Sequence, residues 1–205
     1  MTASKTKSGW DGYLNGKKSS DPGSHTHTRI GNKDLHVYGG SYSVDQQDMS
    51  TFWDRYHDRV FVRKQPEFLT ERQLPDKGPL LVDVDLRYSP SIEERVHTKD
   101  HVVDLATLYI DRATDLLDVP KETGFTIYVT EKPSVNMLDD VTKDGIHMVF
   151  TLNMSRASQV MLRKYIISDI DTVWRKGSNE GELPITNSWH EVFDEGITLG
   201  CVNWQ

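Results

Sequence analysis

The sequence offers almost no sulfur chemistry, with one cysteine, Cys201, in 205 residues. A single thiol excludes an internal disulfide framework and any zinc site built from several cysteines, and it suits a reducing, intracellular setting. Basic charge is also short. There are 24 Lys and Arg against 31 Asp and Glu, a formal net charge of -7. That balance disfavours a protein that coats nucleic acid by bulk charge, while leaving room for a local basic groove. Long apolar runs are missing too. No stretch approaches the roughly 20 apolar residues of a membrane helix, so no membrane partner is expected. The opening Met1-Thr-Ala-Ser-Lys5 has no apolar segment behind it, so a secretory signal is not expected. What is present, 36% hydrophobic and 27% charged residues, is the composition of a globular chain able to bury a sizeable core.

Residues 1–34 are rich in Ser, Thr, Gly, Lys and Asn, which predicts a flexible N-terminal arm ahead of a folded core over 35–205. Within the arm, His25 and His27 alternate, so a strand would turn both the same way. Two imidazoles alone make a poor metal site. Residues 36–44 suggest a short strand broken at Gly39-Gly40, and Asp48 opens a helical stretch with Phe52, Trp53, Tyr56 and Val60 on one face. Pro75-Asp-Lys-Gly-Pro79 predicts a turn before a strand over 80–88. The clearest helix runs from Thr98 to Asp118 with Pro120 behind it. Further strands are expected over 123–130 and 145–151, and a second long helix from Ser155 to Lys176 that stops at Gly177. Strands alternating with long helices predict an α+β or α/β fold.

The sharpest local feature is Asp83-Val84-Asp85 inside an apolar strand. Aspartate is depleted in strands, and period-two geometry puts both carboxylates on one face, opposite Leu80, Val82, Val84 and Leu86. Carboxylates so close repel unless a cation or basic partner neutralises them. Hard oxygen donors suit Mg2+ or Mn2+ carried with a substrate phosphate. The plainer alternative is an edge strand with a solvated acidic face. Asp-x-Asp also occurs in haloacid-dehalogenase-type phosphatases, although Arg87 occupies the position they give to Thr or Val, and in transferases that act on nucleotide sugars.

Two weaker features follow. Lys143-Asp-Gly-Ile-His147 opens a strand; Gly145 permits close backbone approach, Lys143 could meet a phosphate, and His147 can donate to a phosphate oxygen. Trp189-His-Glu-Val-Phe-Asp194 brings another carboxylate behind apolar residues. A third carboxylate would complete a two-metal nucleotidyl-transfer site, but Asp194, Glu191 and Glu195 are not separated by spacing alone.

In this order the pieces resemble the archaeo-eukaryotic primase superfamily, which carries an hhDhD strand, then a Gly-x-His or Ser-x-His strand, then a later hD. Here these read Leu81-Val-Asp-Val-Asp85, Gly145-Ile-His147 and Phe193-Asp194. Ser24-His-Thr-His-Thr-Arg-Ile30, Phe68-Leu-Thr-Glu71, Thr130-Glu-Lys-Pro133 and Lys143-Asp-Gly-Ile-His-Met-Val149 further resemble the primase half of poxvirus-type and giant-virus primase–helicases.

The resemblance implies an α+β core with a central mixed or antiparallel sheet flanked by helices. It implies template-directed synthesis of primers for viral DNA replication, in which Asp83, Asp85 and Asp194 hold two Mg2+ or Mn2+ ions. Asp83, Asp85 and His147 would be catalytic, and Lys143, Gly145 and His147 would bind the incoming nucleotide. The implied partners are a single-stranded DNA template, nucleoside triphosphates and a helicase domain or subunit that this chain lacks. The implied location is the intracellular replication site, in host cytoplasm or nucleus. Two departures stand out: Gly145 replaces the serine of many relatives, and the chain stops at Asn203-Trp-Gln205 where relatives continue into Gly-Ser-x-Lys-Pro and a helicase. The core is therefore expected to be truncated on its C-terminal side. Rival readings are a catalytically weak primase-like module that only binds single-stranded nucleic acid, and an Asp-x-Asp nucleotide-sugar transferase. For a template groove, Arg87, Lys132, Lys143 and Arg156 are candidates, with Arg163, Lys164, Arg175 and Lys176 further along. Arg163 and Lys164 are better read as a solvated helix face. Trp174 and Trp189 could stack bases, although core positions suit them better.

Overall fold

The computed structural model describes residues 9–21, 23–120, 124–200 and 203–204. The opening residues 1–8, Cys201 and Thr123, where the sequence starts a strand, lie outside the described residues. In chain order the first elements are helix α1 (Trp10–Asn15), strands β1 (His27–Arg29) and β2 (Gly40–Tyr42), helix α2 (Met49–His57) and strand β3 (Leu69–Arg72). Then come β4 (Lys77–Tyr88), α3 (Lys99–Leu117), β5 (Ile127–Glu131), β6 (Asn136–Met137) and β7 (Thr142–Ser155). The last are α4 (Arg156–Asp169), α5 (Trp189–Val192), α6 (Gly196–Leu199) and β8 (Asn203–Trp204). They form two compact units, one running to Gln73 and taking in β8, the other beginning at Leu74 and containing β4 to α6.

The first unit is an antiparallel sheet of order β2-β1-β3-β8 over a small core of Trp10, Leu14, Tyr42, Val44 and Phe52. Within residues 9–34, where composition predicts an arm, α1 and β1 are thus built into a folded unit. The reason lies in charge pairing. The Glu67 side chain is fully buried, receives Arg29 Nε and Nη2 at 2.7 and 2.8 Å and the Trp10 indole N–H, and pairs in charge with Arg59, whose Nε stands 3.0 Å away. Arg29 also holds Asp11 at 2.7 Å. Composition counts apolar residues, and it does not register a buried carboxylate satisfied from several sides.

The second unit carries an antiparallel sheet of order β4-β7-β5, with β6 pairing the start of β7. Period-two alternation in β4 buries Leu80, Val82, Val84, Leu86 and Tyr88 against α3 and α4, where they meet Leu105, Tyr109, Ile146, Met148, Phe150 and Leu162. Each such aliphatic side chain contributes roughly 1.5–3 kcal/mol on burial. Antiparallel sheets with segregated helices make this an α+β architecture, as expected.

Several boundaries move. β4 starts at Lys77 and holds Pro79 at a register shift between Pro79 and Leu80, where a residue without N–H is tolerated. The expected turn therefore shrinks to a bend at Pro75 and Asp76. α3 begins behind Thr98, whose side chain accepts from the His101 N–H. α4 ends at Asp169 and gives way to a 3-10 turn over Ile170–Thr172, short of the expected Lys176. Arg163, expected on a solvated face, is buried, whereas Lys164 is exposed. The Arg163 guanidinium reaches two backbone carbonyls, which the helical spacing does not reveal. Arg156 is buried as well, donating to Leu74 O and Gln159. Trp174 is a core residue whose indole donates to His101 O.

Candidate active site

β4 and β7 pair in register from Leu80 to Tyr88, so cross-strand partners share a face. On the face away from α3 the rows read Asp83 opposite His147, Asp85 opposite Gly145, and Arg87 opposite Lys143. β5 extends the first row, with Thr130 opposite His147. The intervening Val84, Leu86, Ile146 and Met148 are buried on the core side. The alternation that builds the core is what exposes the acids.

The third carboxylate arrives from the far side of β4. Ser188 caps α5, with its hydroxyl accepting from the Glu191 N–H and the Glu191 carboxylate accepting back from Ser188. Phe193 then leaves the helix in an extended conformation and bridges Val84. The Asp194 N–H donates to Asp83 O at 3.1 Å. Because Phe193 pairs on the core side, Asp194 falls on the side of Asp83 and Asp85. Arg163 fixes this segment, donating from Nε to Phe193 O and from Nη2 to His190 O, each at 2.9 Å. Of the acids that spacing could not separate, Glu191 is spent on the cap and on Arg87 at 3.4 Å, and Asp194 is the one beside the pair.

The electrostatics follow from this packing. Asp83 Oδ1 stands 3.3 Å from His147 Nε2. That hydrogen bond, helped by the charges of Asp83 and Asp85, raises the His147 pKa above its usual value against burial and Lys132. Burial, Asp83 and Asp194 together raise Asp85, while Lys132 and Arg87 offset them. Acids occupy one end of the face and the cations Arg87 and Lys143 the next row. The donor chemistry of Asp83, Asp85 and Asp194 fits hard divalent cations. Among the described residues, however, no group of three or more His, Cys, Asp or Glu side chains is gathered closely enough to hold a metal ion. Asp83 is turned to His147, and Asp194 Oδ1 accepts the Gly196 N–H at 3.1 Å.

The structure brings Asp83, Asp85, Gly145, His147 and Asp194 together, with Lys143 one row further along. The sequence reading passed over a charge network beneath them, centred on buried Asp144 and His97. Asp144, on the core side opposite Leu86, binds Arg95 through both oxygens, at 2.8 and 2.9 Å. Its Oδ1 also accepts the Gly145 N–H at 2.9 Å. Burial works to raise Asp144, but Arg95, the Gly145 N–H and His97 outweigh it and hold the carboxyl below its usual range. His97 reaches Glu131 at 2.6 Å. Asp144 lies within Lys143–His147, so the signal was an acid at a strand position pointing into the core; Arg95 gives no local signal.

Residues 31–205 match a family described as the C962R protein N-terminal AEP domain, AEP standing for archaeo-eukaryotic primase. The chain is also similar to a protein of Acanthamoeba polyphaga mimivirus named as a helicase, 24% identical over 159 residues. That alignment covers 77% of this chain and 16% of the mimivirus protein, so the chain spans about a sixth of that relative's length.

Proposed function

Because the chain belongs to this archaeo-eukaryotic primase family, we propose that it performs template-directed nucleotidyl transfer, joining nucleotides into primers for the replication of a large DNA virus. The observation that carries the reading is the face on which Asp83 and Asp85 lie opposite His147 and Gly145, one row from Arg87 and Lys143. The 3′-hydroxyl of a growing strand attacks the α-phosphorus of a nucleoside triphosphate. A P–O bond forms there, the hydroxyl's proton passes to solvent, the bond to the bridging oxygen breaks, and pyrophosphate leaves.

Asp83, Asp85 and Asp194 would hold the divalent ions, Mg2+ or Mn2+, which supply charge stabilisation at the α-phosphate when bound. His147, its pKa raised beside Asp83, donates a hydrogen bond to the triphosphate, and Lys143 adds a positive charge. Gly145 leaves the backbone open for close approach. The acid-to-base order of the face sets the polarity of the nucleotide, with its α-phosphate over the acids and its tail toward Lys143 and Arg87. The partners on this reading are single-stranded DNA, nucleoside triphosphates and helicase machinery. Family membership favours it over nucleotide-sugar transfer.

One observation favours the non-catalytic alternative, a module that only binds single-stranded nucleic acid: the three carboxylates do not converge on a common point. Incubating the 205-residue chain with a single-stranded template, labelled nucleotides and Mg2+ or Mn2+ separates the two. Template-dependent oligonucleotides support nucleotidyl transfer. Template binding without product supports the alternative.

A further inference from the structure

Lys132 lies one residue past β5 and two past Thr130, the partner of His147. Period-two geometry returns its side chain to the face of Asp83 and Asp85. Pro133 follows it, and a residue before proline is pushed to extended backbone, which preserves that phase. Glu131 pairs with Ile146, so the next residue along β5 comes level with Gly145, which itself pairs with Asp85. The row therefore holds a carboxylate at one end, a cation at the other and no side chain between. A Cβ at Gly145 would come within 3.2 Å of Val84 O, so the gap is built into the close strand approach.

The Lys132 charge is felt by both Asp85 and His147. Lys132 is nevertheless exposed and makes no ion pair with the described residues. Its backbone is fixed. Arg95 Nη2 donates to Lys132 O at 2.7 Å while the same guanidinium grips buried Asp144, which in turn accepts the Gly145 N–H. One guanidinium–carboxylate pair, its carboxylate buried and its guanidinium partly exposed, thus ties together the backbones of the cation and of the glycine. The buried carboxylate needs this partner, and the pair sets the spacing of Lys132 from the strand that carries His147.

We propose that Lys132 contacts the β- or γ-phosphate of the incoming nucleoside triphosphate across the gap at Gly145, and that Arg95 and Asp144 are positioning residues that hold it there. The inference rests on the nucleotidyl-transfer reading and deepens it by naming a phosphate contact. The anion spans from the acid row, where its α-phosphate lies, to a cation with no competing partner.

Inorganic tripolyphosphate and Mg2+-loaded nucleoside triphosphate serve as probes, titrated calorimetrically into the full chain and its variants. Lys132→Met weakens tripolyphosphate binding by about tenfold to a hundredfold, the range of one charge-assisted hydrogen bond, and leaves the melting temperature unchanged. Lys132→Arg keeps the affinity within a few-fold. Arg95→Lys weakens binding in the parent chain and adds no further loss in the Lys132→Met background, a coupling that a merely structural role would not produce. Parent-like affinity in folded Lys132→Met overturns the phosphate contact, and additive losses overturn the positioning role. If the parent chain binds neither probe, the inference falls together with the nucleotidyl-transfer reading. If Lys132→Met weakens tripolyphosphate binding in a parent chain that makes no primers, the phosphate contact stands and only the nucleotidyl-transfer reading falls.

Discussion

Asp83 and His147 are register partners on β4 and β7, with Oδ1 and Nε2 3.3 Å apart. The pair couples an acid suited to a cation to an imidazole suited to phosphate, and the two roles separate on substitution. His147→Ala is expected to weaken nucleotide binding about tenfold or more, with the fold intact because the ring is partly exposed. Calorimetric titration of nucleotide checks this. Unchanged affinity removes His147 from the site.

Asp85 is exposed, yet partial desolvation and the charges of Asp83 and Asp194 raise its pKa and make its charge unfavourable. Asp85→Asn removes that repulsion, so thermal unfolding should move to higher temperature while primer synthesis is lost, the usual trade of stability for activity at a site. A lower melting temperature would contradict the electrostatic account.

Arg163 holds two backbone carbonyls, the buried one of Phe193 and the partly buried one of His190. Arg163→Met strands both, and hydrogen bonds of this charged kind contribute about 1.5–3 kcal/mol each. Denaturant unfolding should show a loss of about 3–6 kcal/mol, with reduced activity because Asp194 follows Phe193 directly. A loss near zero would show that the segment is held by Phe193 packing alone.

Burial lowers the His27 pKa from the usual 6.5 to about 4. Between those values the unfolded chain binds a proton that the folded chain does not, so the His27 contribution to stability is level above pH 6.5 and falls as the pH drops to about 4. The full swing is at most about 3 kcal/mol. His27→Gln should flatten this part of the profile, as measured by denaturant midpoints from pH 7 to 4. A parent profile already flat there would contradict the burial argument.

The site's central strand was legible because Asp83 and Asp85 break an apolar alternation whose other face must be core. His147 and Gly145 were legible in type, but their pairing with Asp83 and Asp85 depends on strand register, which no local pattern fixes. Spacing alone did not separate Asp194 from Glu191 or Glu195; the family resemblance pointed to Asp194, and the Ser188 cap and the Val84 bridge are the contacts that bring it beside Asp83. Arg95 and Asp144 stayed hidden because they are 49 positions apart and their partnership is made by the fold. The same holds for Arg29 and Glu67, which draw residues expected in an arm into a folded unit.

The central claim is that Asp83 and Asp85 form the acidic heart of a nucleotidyl-transfer site. The most direct measurement is primer synthesis on a single-stranded template with Mg2+ or Mn2+, comparing the parent chain with Asp83→Ala and Asp85→Ala, each shown to be folded by circular dichroism. The account predicts labelled oligonucleotides from the parent chain and none from either variant. Full activity in both variants would contradict it.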